Sequence, residues 1–274
     1  MAKLFSVASW NVEHFKDDPT RIARVVEFLK RQQPDVFGLY EVEGKTIYKE
    51  LVAQMPGYAF QITEGNQTQE ILVGAKPSLS PFITQKTEFR SGTTHMRPGQ
   101  LVSVTKGDQA YALLFLHLAS GNDPRGMGLR DDMLERAIEF RRTLDMGAGG
   151  KDQAHYLFLG DLNTMGMKYP YQRQIEVEFE LKHLDARAKK FGMRRLAKTH
   201  PHSWSNGSGS SIKPSALDHV FATQNIRLKN FKAIDGGDAE VSVRGWPTEA
   251  TTGEQDAWIA NYSDHALLYF EVHS

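Results

Sequence analysis

The 274-residue chain contains no cysteine. That excludes disulfides, thiolate nucleophiles and cysteine-ligated zinc, and it leaves the redox compartment open. Long apolar runs are missing as well. No stretch approaches the roughly 20 apolar residues of a spanning helix, and the first ten residues are too weakly apolar for a signal-peptide core. The expectation is a cytoplasmic protein with no membrane segment. Net charge is zero, with 33 Lys and Arg against 33 Asp and Glu. Electrostatic guidance of a ligand must therefore come from local patches. Gly44-Lys45-Thr46 resembles the tail of a phosphate-binding loop, but Leu39 stands where that loop needs its first glycine. No Gly-x-Ser-x-Gly elbow occurs, which argues against a serine hydrolase. Asn66-Gln67-Thr68 and Asn206-Gly207-Ser208 match the glycosylation sequon, which matters only in a secreted chain.

With 40% hydrophobic and 24% charged residues, the chain has enough apolar material for a sizeable core. Strand-like runs fall at residues 4–10, 35–41, 58–63, 70–75, 101–106, 110–118, 156–160, 217–222 and 266–272. Their near-continuous hydrophobicity predicts strands covered on both faces, since a strand with one wet face alternates. Helical periodicity predicts helices over residues 20–31, 130–146 and, more weakly, 177–191. Many strands with few helices, and no strict strand–helix alternation, predict two sheets packed together with helices outside. No repeat is visible, and the Ser205–Ser211 stretch is too short for a domain linker. Residues 1–274 are therefore read as one domain.

Chemistry-bearing residues fall where strands end. Ser9-Trp10-Asn11-Val12-Glu13 follows the first strand, and Leu39-Tyr40-Glu41-Val42-Glu43 closes the second. Leu116-His117-Leu118, Leu159-Gly160-Asp161-Leu162-Asn163, Leu217-Asp218-His219-Val220 and Tyr262-Ser263-Asp264-His265 complete the set. A buried strand is rigid, so a carboxylate at its mouth is aimed. Any one of these acids or amides alone is more often a turn former or helix cap. Their agreement suits a hard metal ion and a phosphate ester. Glu43 and His219 are expected as exposed neighbours on the opposite sides of their strands.

Trp10–Glu13, Leu39–Val42, His117–Ser120, Gly160–Asn163, Leu217–Val220 and Ser263–Ala266 form an ordered set that resembles the endonuclease/exonuclease/phosphatase superfamily. The resemblance implies a four-layer α/β/β/α sandwich of two mixed β-sheets face to face, with the site at one edge. It implies metal binding by Glu41, with Glu13, Asp264 and Asn11 on the metal side; Glu13 is longer than the aspartate of some members. It implies that Asp161 positions or deprotonates water, that Asn163, Asn11 and His117 contact phosphate, and that Asp218 orients a catalytic His265. The sequence leaves open whether His265 or Asp161 takes the proton. Tyr40 departs from the glutamine of many members, and the segment before Asp218 lacks the usual arginine or tryptophan.

A phosphodiester repels nucleophiles through its own charge, so a cation is needed. Mg²⁺ (with Mn²⁺ as an alternative) fits a site of one or two carboxylates that keeps its waters. The expected activity is hydrolysis of DNA or RNA by activated water. The alternatives are a phosphatase or lipid phosphodiesterase of the same superfamily, and a catalytically silent nucleic-acid-binding module. Residues 182–202 carry seven Lys and Arg against one acid, a candidate phosphate track. Trp204 is a candidate for stacking on a base. Arg90, Arg97, Arg125 and Arg130 are candidates for meeting substrate phosphate, and the Asp123–Arg130 segment is a second candidate loop. No protruding apolar hairpin for lipid is evident.

Overall fold

Apolar residues alternate between two cores along the central strands, and this alternation sets the layering. The computed structural model describes residues 2–65, 69–94, 96–171 and 173–274; the sequon at Asn66–Thr68 lies outside them. In chain order the strands are β1 (Lys3–Phe15), β2 (Val36–Val42), β3 (Ala59–Ile62), β4 (Glu70–Ala75), β5 (Phe82–Lys86), β6 (Gly99–Lys106), β7 (Gln109–His117) and β8 (His155–Asp161). They continue as β9 (Met193–Arg195), β10 (Asp218–Thr223), β11 (Arg227–Leu228), β12 (Phe231–Lys232), β13 (Asp238–Ala239), β14 (Ser242–Arg244) and β15 (Leu267–His273). The helices are α1 (Pro19–Gln32), α2 (Lys45–Gln54), α3 (Pro124–Gly147), α4 (Val177–Lys190) and α5 (Thr252–Asn261).

One mixed sheet runs β11-β15-β1-β2-β4-β3, with β14 also on β15, and the other runs β5-β6-β7-β8-β10-β9. In β7 and β8, Leu113, Phe115, Leu157 and Leu159 enter the core shared with the first sheet. Their alternates Leu114, Leu116, Tyr156 and Phe158 pack with Met133, Leu134 and Ile138 of α3 and Leu184 of α4. A strand with both faces dry has a period of two in space but none in hydrophobicity. Each fully buried Leu, Val or Phe contributes roughly 1.5–3 kcal/mol. On the far side, Ile22, Val25, Val26 and Leu29 of α1 join the first core. The result is the expected four-layer α/β/β/α sandwich. No helix among the described residues is long and apolar enough to cross a membrane.

Several elements differ from the sequence expectation. α3 starts at Pro124 because Asp123 caps it, accepting hydrogen bonds from Arg125 N and Gly126 N. Two glycines in its first turns masked that start. α2 begins at the Gly44-Lys45-Thr46 decoy, where Asp17 Oδ1 accepts from Thr46 N at 2.9 Å. α2 and α5 were missed because each buries only one or two side chains, Ile47 and Leu51 in α2 and Trp258 in α5.

Two pairs, β1 with β2 and β7 with β8, are parallel, while β10 and β15 run antiparallel to their neighbours. The carboxyl ends of the parallel strands therefore meet the amino ends of the antiparallel ones. Register completes the job: Asp161 stands beside His117 on one side and Asp218 on the other. Gly160 makes this close approach possible. It has φ +140°, and a Cβ there would lie 2.0 Å from Leu116 O and 2.7 Å from the Tyr40 hydroxyl. Gly160→Ala is expected to cost about 3 kcal/mol or more in urea unfolding. Gly128→Ala, in α3 with open space around it, is expected to stabilise by about 0.5–1 kcal/mol.

Candidate active site

Asp161 ends β8 almost fully buried and is approached from three sides. Asn11 Nδ2, from β1, donates to Asp161 Oδ2 at 2.9 Å and to Glu41 Oε1 at 3.1 Å. One amide thus bridges a carboxylate from each sheet. His117 Nε2 lies 3.5 Å from Asp161 Oδ2 and 3.7 Å from Glu41 Oε1. His265 Nε2 lies 3.9 Å from Asp161 Oδ2 and 4.0 Å from Asp264 Oδ1. Asp218 Oδ2 meets His265 Nδ1 at 2.8 Å. The Asn163 backbone N–H donates to Asp161 Oδ1 at 3.1 Å, and its side-chain amide donates to Leu118 O at 3.2 Å. Asn11, Glu41, His117, Asp161, Asn163, Asp218, Asp264 and His265 thus converge.

The backbone around them is held in unusual shapes. Glu13, His14, Glu41 and Asn163 have φ between 43° and 61°, a region that costs non-glycine residues of order 1–3 kcal/mol and is tolerated where surrounding contacts over-determine it. Those contacts are present. His14 N donates to Glu41 Oε2 at 2.8 Å, and Glu13 N donates to Asn11 Oδ1 at 2.9 Å. Arg21 donates to Val12 O, His14 O and Tyr262 O, tying the segment after β1 to the segment before β15. Ser263 Oγ donates to Asn11 O and accepts from His265 N, while Trp10 Nε1 donates to His265 O. Tyr40 reaches across beneath the site: its hydroxyl lies 3.0 Å from Ser9 Oγ and donates to Leu159 O of the opposite sheet.

Electrostatics follow from crowding. Burial pushes the Asp161 carboxyl up to about 7, with Asp218 and Glu41 adding to it and His265 and Asn11 opposing. Burial alone would strip His265 of its proton, but Asp218 and Asp161 overcome it and hold the imidazole protonated up to about 10. His117 moves the other way: burial, then Arg97 and His265, drives it well below its usual range. Asp264 and Glu13 are both raised, first by burial, with neighbouring carboxylates contributing. The oxygens of Glu41 and Asp161 are hard donors, and Asp264 Oδ1 nearby is buried with no hydrogen-bond partner among the described residues. Ligand atoms of Glu41, His117 and Asp161 lie close enough to share one ion. This donor set fits a hard divalent cation. Glu13 sits at its margin, where Oε2 accepts from Asp264 N at 3.3 Å.

Some expectations need correction. His219 is buried, with Nε2 2.8 Å from Ala216 O and 2.9 Å from Thr164 Oγ1, because both faces of β10 are covered. Glu43 is largely covered by His14, 2.7 Å away. Trp204 lies beside the site, its indole N–H donating to Asp264 Oδ2 at 2.6 Å. In the basic stretch, Arg187 pairs with Glu135, Arg194 with Glu240 and Arg195 with Asp185, while Lys198 donates to Asp218 O. Four of its seven cations thus serve the fold. Arg130 is fully buried on Glu180, 2.8 Å away, and Arg90 binds Glu64 O. Arg97 alone of the four arginines faces the carboxylates, in the field of Glu41 and Asp161. It binds Gln69, whose amide in turn reaches Glu41 Oε2 at 3.3 Å. Gln69 was missed; its only signal was its place just before a strand.

A profile of the Endonuclease/Exonuclease/phosphatase family matches residues 8–265. No curated protein matches the chain by sequence. Among solved structures, TDP2 from Caenorhabditis elegans is 16% identical with a TM-score of 0.67, over 98% of both chains. The 3′ phosphatase NExo from Neisseria, bound to a product DNA hairpin, is 15% identical with a TM-score of 0.64, over 98% of this chain and 100% of that one. A mannosyl-6-phosphatase from Bacteroides thetaiotaomicron is 13% identical with a TM-score of 0.58, over 98% and 100%. At these identities the likeness is one of fold.

Asp218→Asn is expected to lower the pH at which His265 loses its proton by about 1–3 units. Imidazole NMR titration of the metal-free protein measures it. An unchanged His265 titration would show that Asp218 does not hold the proton.

Proposed function

Because the chain belongs to the endonuclease/exonuclease/phosphatase family, whose members hydrolyse phosphate esters, we propose that it is a divalent-metal-dependent nuclease. Residues 1–274 would act as one catalytic unit. The observation that carries this reading is the meeting of Asn11, Glu41, His117, Asp161, Asp218 and His265, from both sheets, within hydrogen-bonding or ion-pairing reach of one another. The TDP2 of D. rerio was solved with a single-stranded DNA product and NExo with a DNA hairpin, which favours a polynucleotide.

Glu41 and Asp264 would hold the cation, Mg²⁺ by the preference of carboxylate sites that retain water, with Glu13 and Asn11 supporting them. Bound there, it would neutralise phosphate charge and favour departure of the leaving oxygen. The remaining steps belong to the protein. Asp218 keeps His265 protonated, so His265 acts as a cationic donor to a phosphoryl oxygen and Asp161 is left to accept the water proton. The water oxygen bonds to phosphorus, the ester P–O bond breaks and its electron pair leaves with the departing oxygen. Asn163 and His117 would donate to the non-bridging oxygens; removing one such donor costs about 10²–10³ in kcat. Burial keeps Asp161 near 7 without the cation, and a bound cation would lower that value.

The test pairs binding with turnover. Mg²⁺ at a hundred times its Kd is expected to stabilise the protein by about 2.7 kcal/mol, an effect absent in Glu41→Ala. Cleavage of single-stranded, duplex and abasic oligonucleotides is expected to stop with EDTA and in Asp161→Asn. The kcat/KM profile should rise on an acid limb at or below pH about 7 and fall on a basic limb at or below about 10, where His265 loses its proton in the field of the cation. Turnover of phosphomonoesters with no polynucleotide cleavage would reassign the site to a phosphatase. Strand binding with no turnover of any phosphate ester would leave a binding module.

A further inference from the structure

The buried Arg130–Glu180 pair has no place in the proposed chemistry, yet it clasps the two loops that flank the site. Arg130 donates to Gly121 O at 3.1 Å in the loop after His117, and to Gly166 O at 3.1 Å in the loop after Asp161. Glu180 Oε2 accepts from Gly166 N at 2.7 Å. Lys168 N donates to Asn122 O at 2.6 Å, a second tie between the loops. Beyond this clasp, Met167 and Ile175 pair through two backbone hydrogen bonds of 2.8 and 2.9 Å. The described residues between them, 168–171, 173 and 174, are exposed beyond that fixed base.

What this segment exposes is aromatic and basic. Tyr169 is 38% exposed and Tyr171 84% exposed. Their rings meet edge to face at 5.7 Å and 79°. Lys168, Arg173 and, on the facing loop, Arg125 are exposed around them, and no acid occurs from Asn163 to Gln174. An exposed aromatic pair held on a fixed base is an informative departure from an ordinary surface. Cations beside stacking rings are the arrangement that binds single-stranded polynucleotides, since phosphates meet the charges and any base meets the π-face.

We propose that Tyr169 and Tyr171 form a stacking platform for an unpaired base of a polynucleotide whose backbone enters the site. The inference deepens the nuclease reading and names its substrate as single-stranded or frayed. Lys168 and Arg173 hold phosphates on either side of the stacked base. The Arg130–Glu180 clasp fixes the distance from that base to Asp161 and Asn163.

Fluorescence anisotropy in EDTA, which needs no turnover, tests it with a single strand of about ten nucleotides and an abasic strand of equal length. Tyr171→Ala is expected to weaken binding of the base-bearing strand about tenfold and to leave the abasic strand unchanged. Tyr171→Phe should retain wild-type affinity. Equal affinity of Tyr171→Ala and wild type for the base-bearing strand, or equal losses on both strands, would overturn the platform. So would tyrosine-dependent sedimentation with zwitterionic vesicles by a protein that ignores the strand. Cleavage assayed in parallel with Mg²⁺ separates the two readings. Base-dependent binding without cleavage refutes the nuclease and leaves the platform, whereas cleavage indifferent to Tyr171 does the reverse.

Discussion

A carboxylate buried where two sheets meet has to be neutralised, and most of the architecture around Asp161 is arranged to do so. Its 2.9 Å hydrogen bond from Asn11 and the protonated His265 at 3.9 Å offset part of the cost of burial. The Asp218–His265 contact at 2.8 Å makes that arrangement work, because an imidazole at this depth would otherwise shed its proton. Breaking a buried charged pair by removing one partner leaves the other uncompensated, which is why such clusters act as units.

Both sheets are needed to build this cluster. The first supplies Asn11, Glu41, Asp264 and His265; the second supplies His117, Asp161 and Asp218. The Asn11 amide and the Tyr40 hydroxyl join the two sheets directly at the site edge. Relative sliding of the sheets would therefore break chemistry and core packing together. The strained φ values at Glu13, His14, Glu41 and Asn163 are concentrated at this edge, where neighbouring contacts leave each residue little alternative.

A second buried ion pair, Arg130–Glu180, has a different job. It joins α3, which carries Arg130, to α4, which carries Glu180, and its hydrogen bonds run to loop carbonyls on both sides of the mouth. Arginine suits this task because its planar fork offers five donors in fixed directions. The loops it joins continue directly from His117 and Asp161, so holding them also steadies the ends of β7 and β8. A rim attached in this way positions a long substrate better than one carried on free loops.

Runs such as Tyr156–Leu159 and Ala266–Phe270 announced doubly covered strands, and acids and imidazoles at their ends announced the site, because period and residue type are local properties. The start of α3 was less legible, since Gly126 and Gly128 weaken helix propensity that Asp123 capping restores. Arg130, Arg187, Arg194 and Arg195 looked like substrate cations in the sequence, but which acid answers each depends on contacts across the fold. Trp204 likewise meets Asp264, sixty residues away, only through the fold. What the residues alone determined was the sandwich and the list of reactive groups. Only the packed sheets decided their register, their protonation and which charges remain for a substrate, because each of those is set by neighbours distant along the chain.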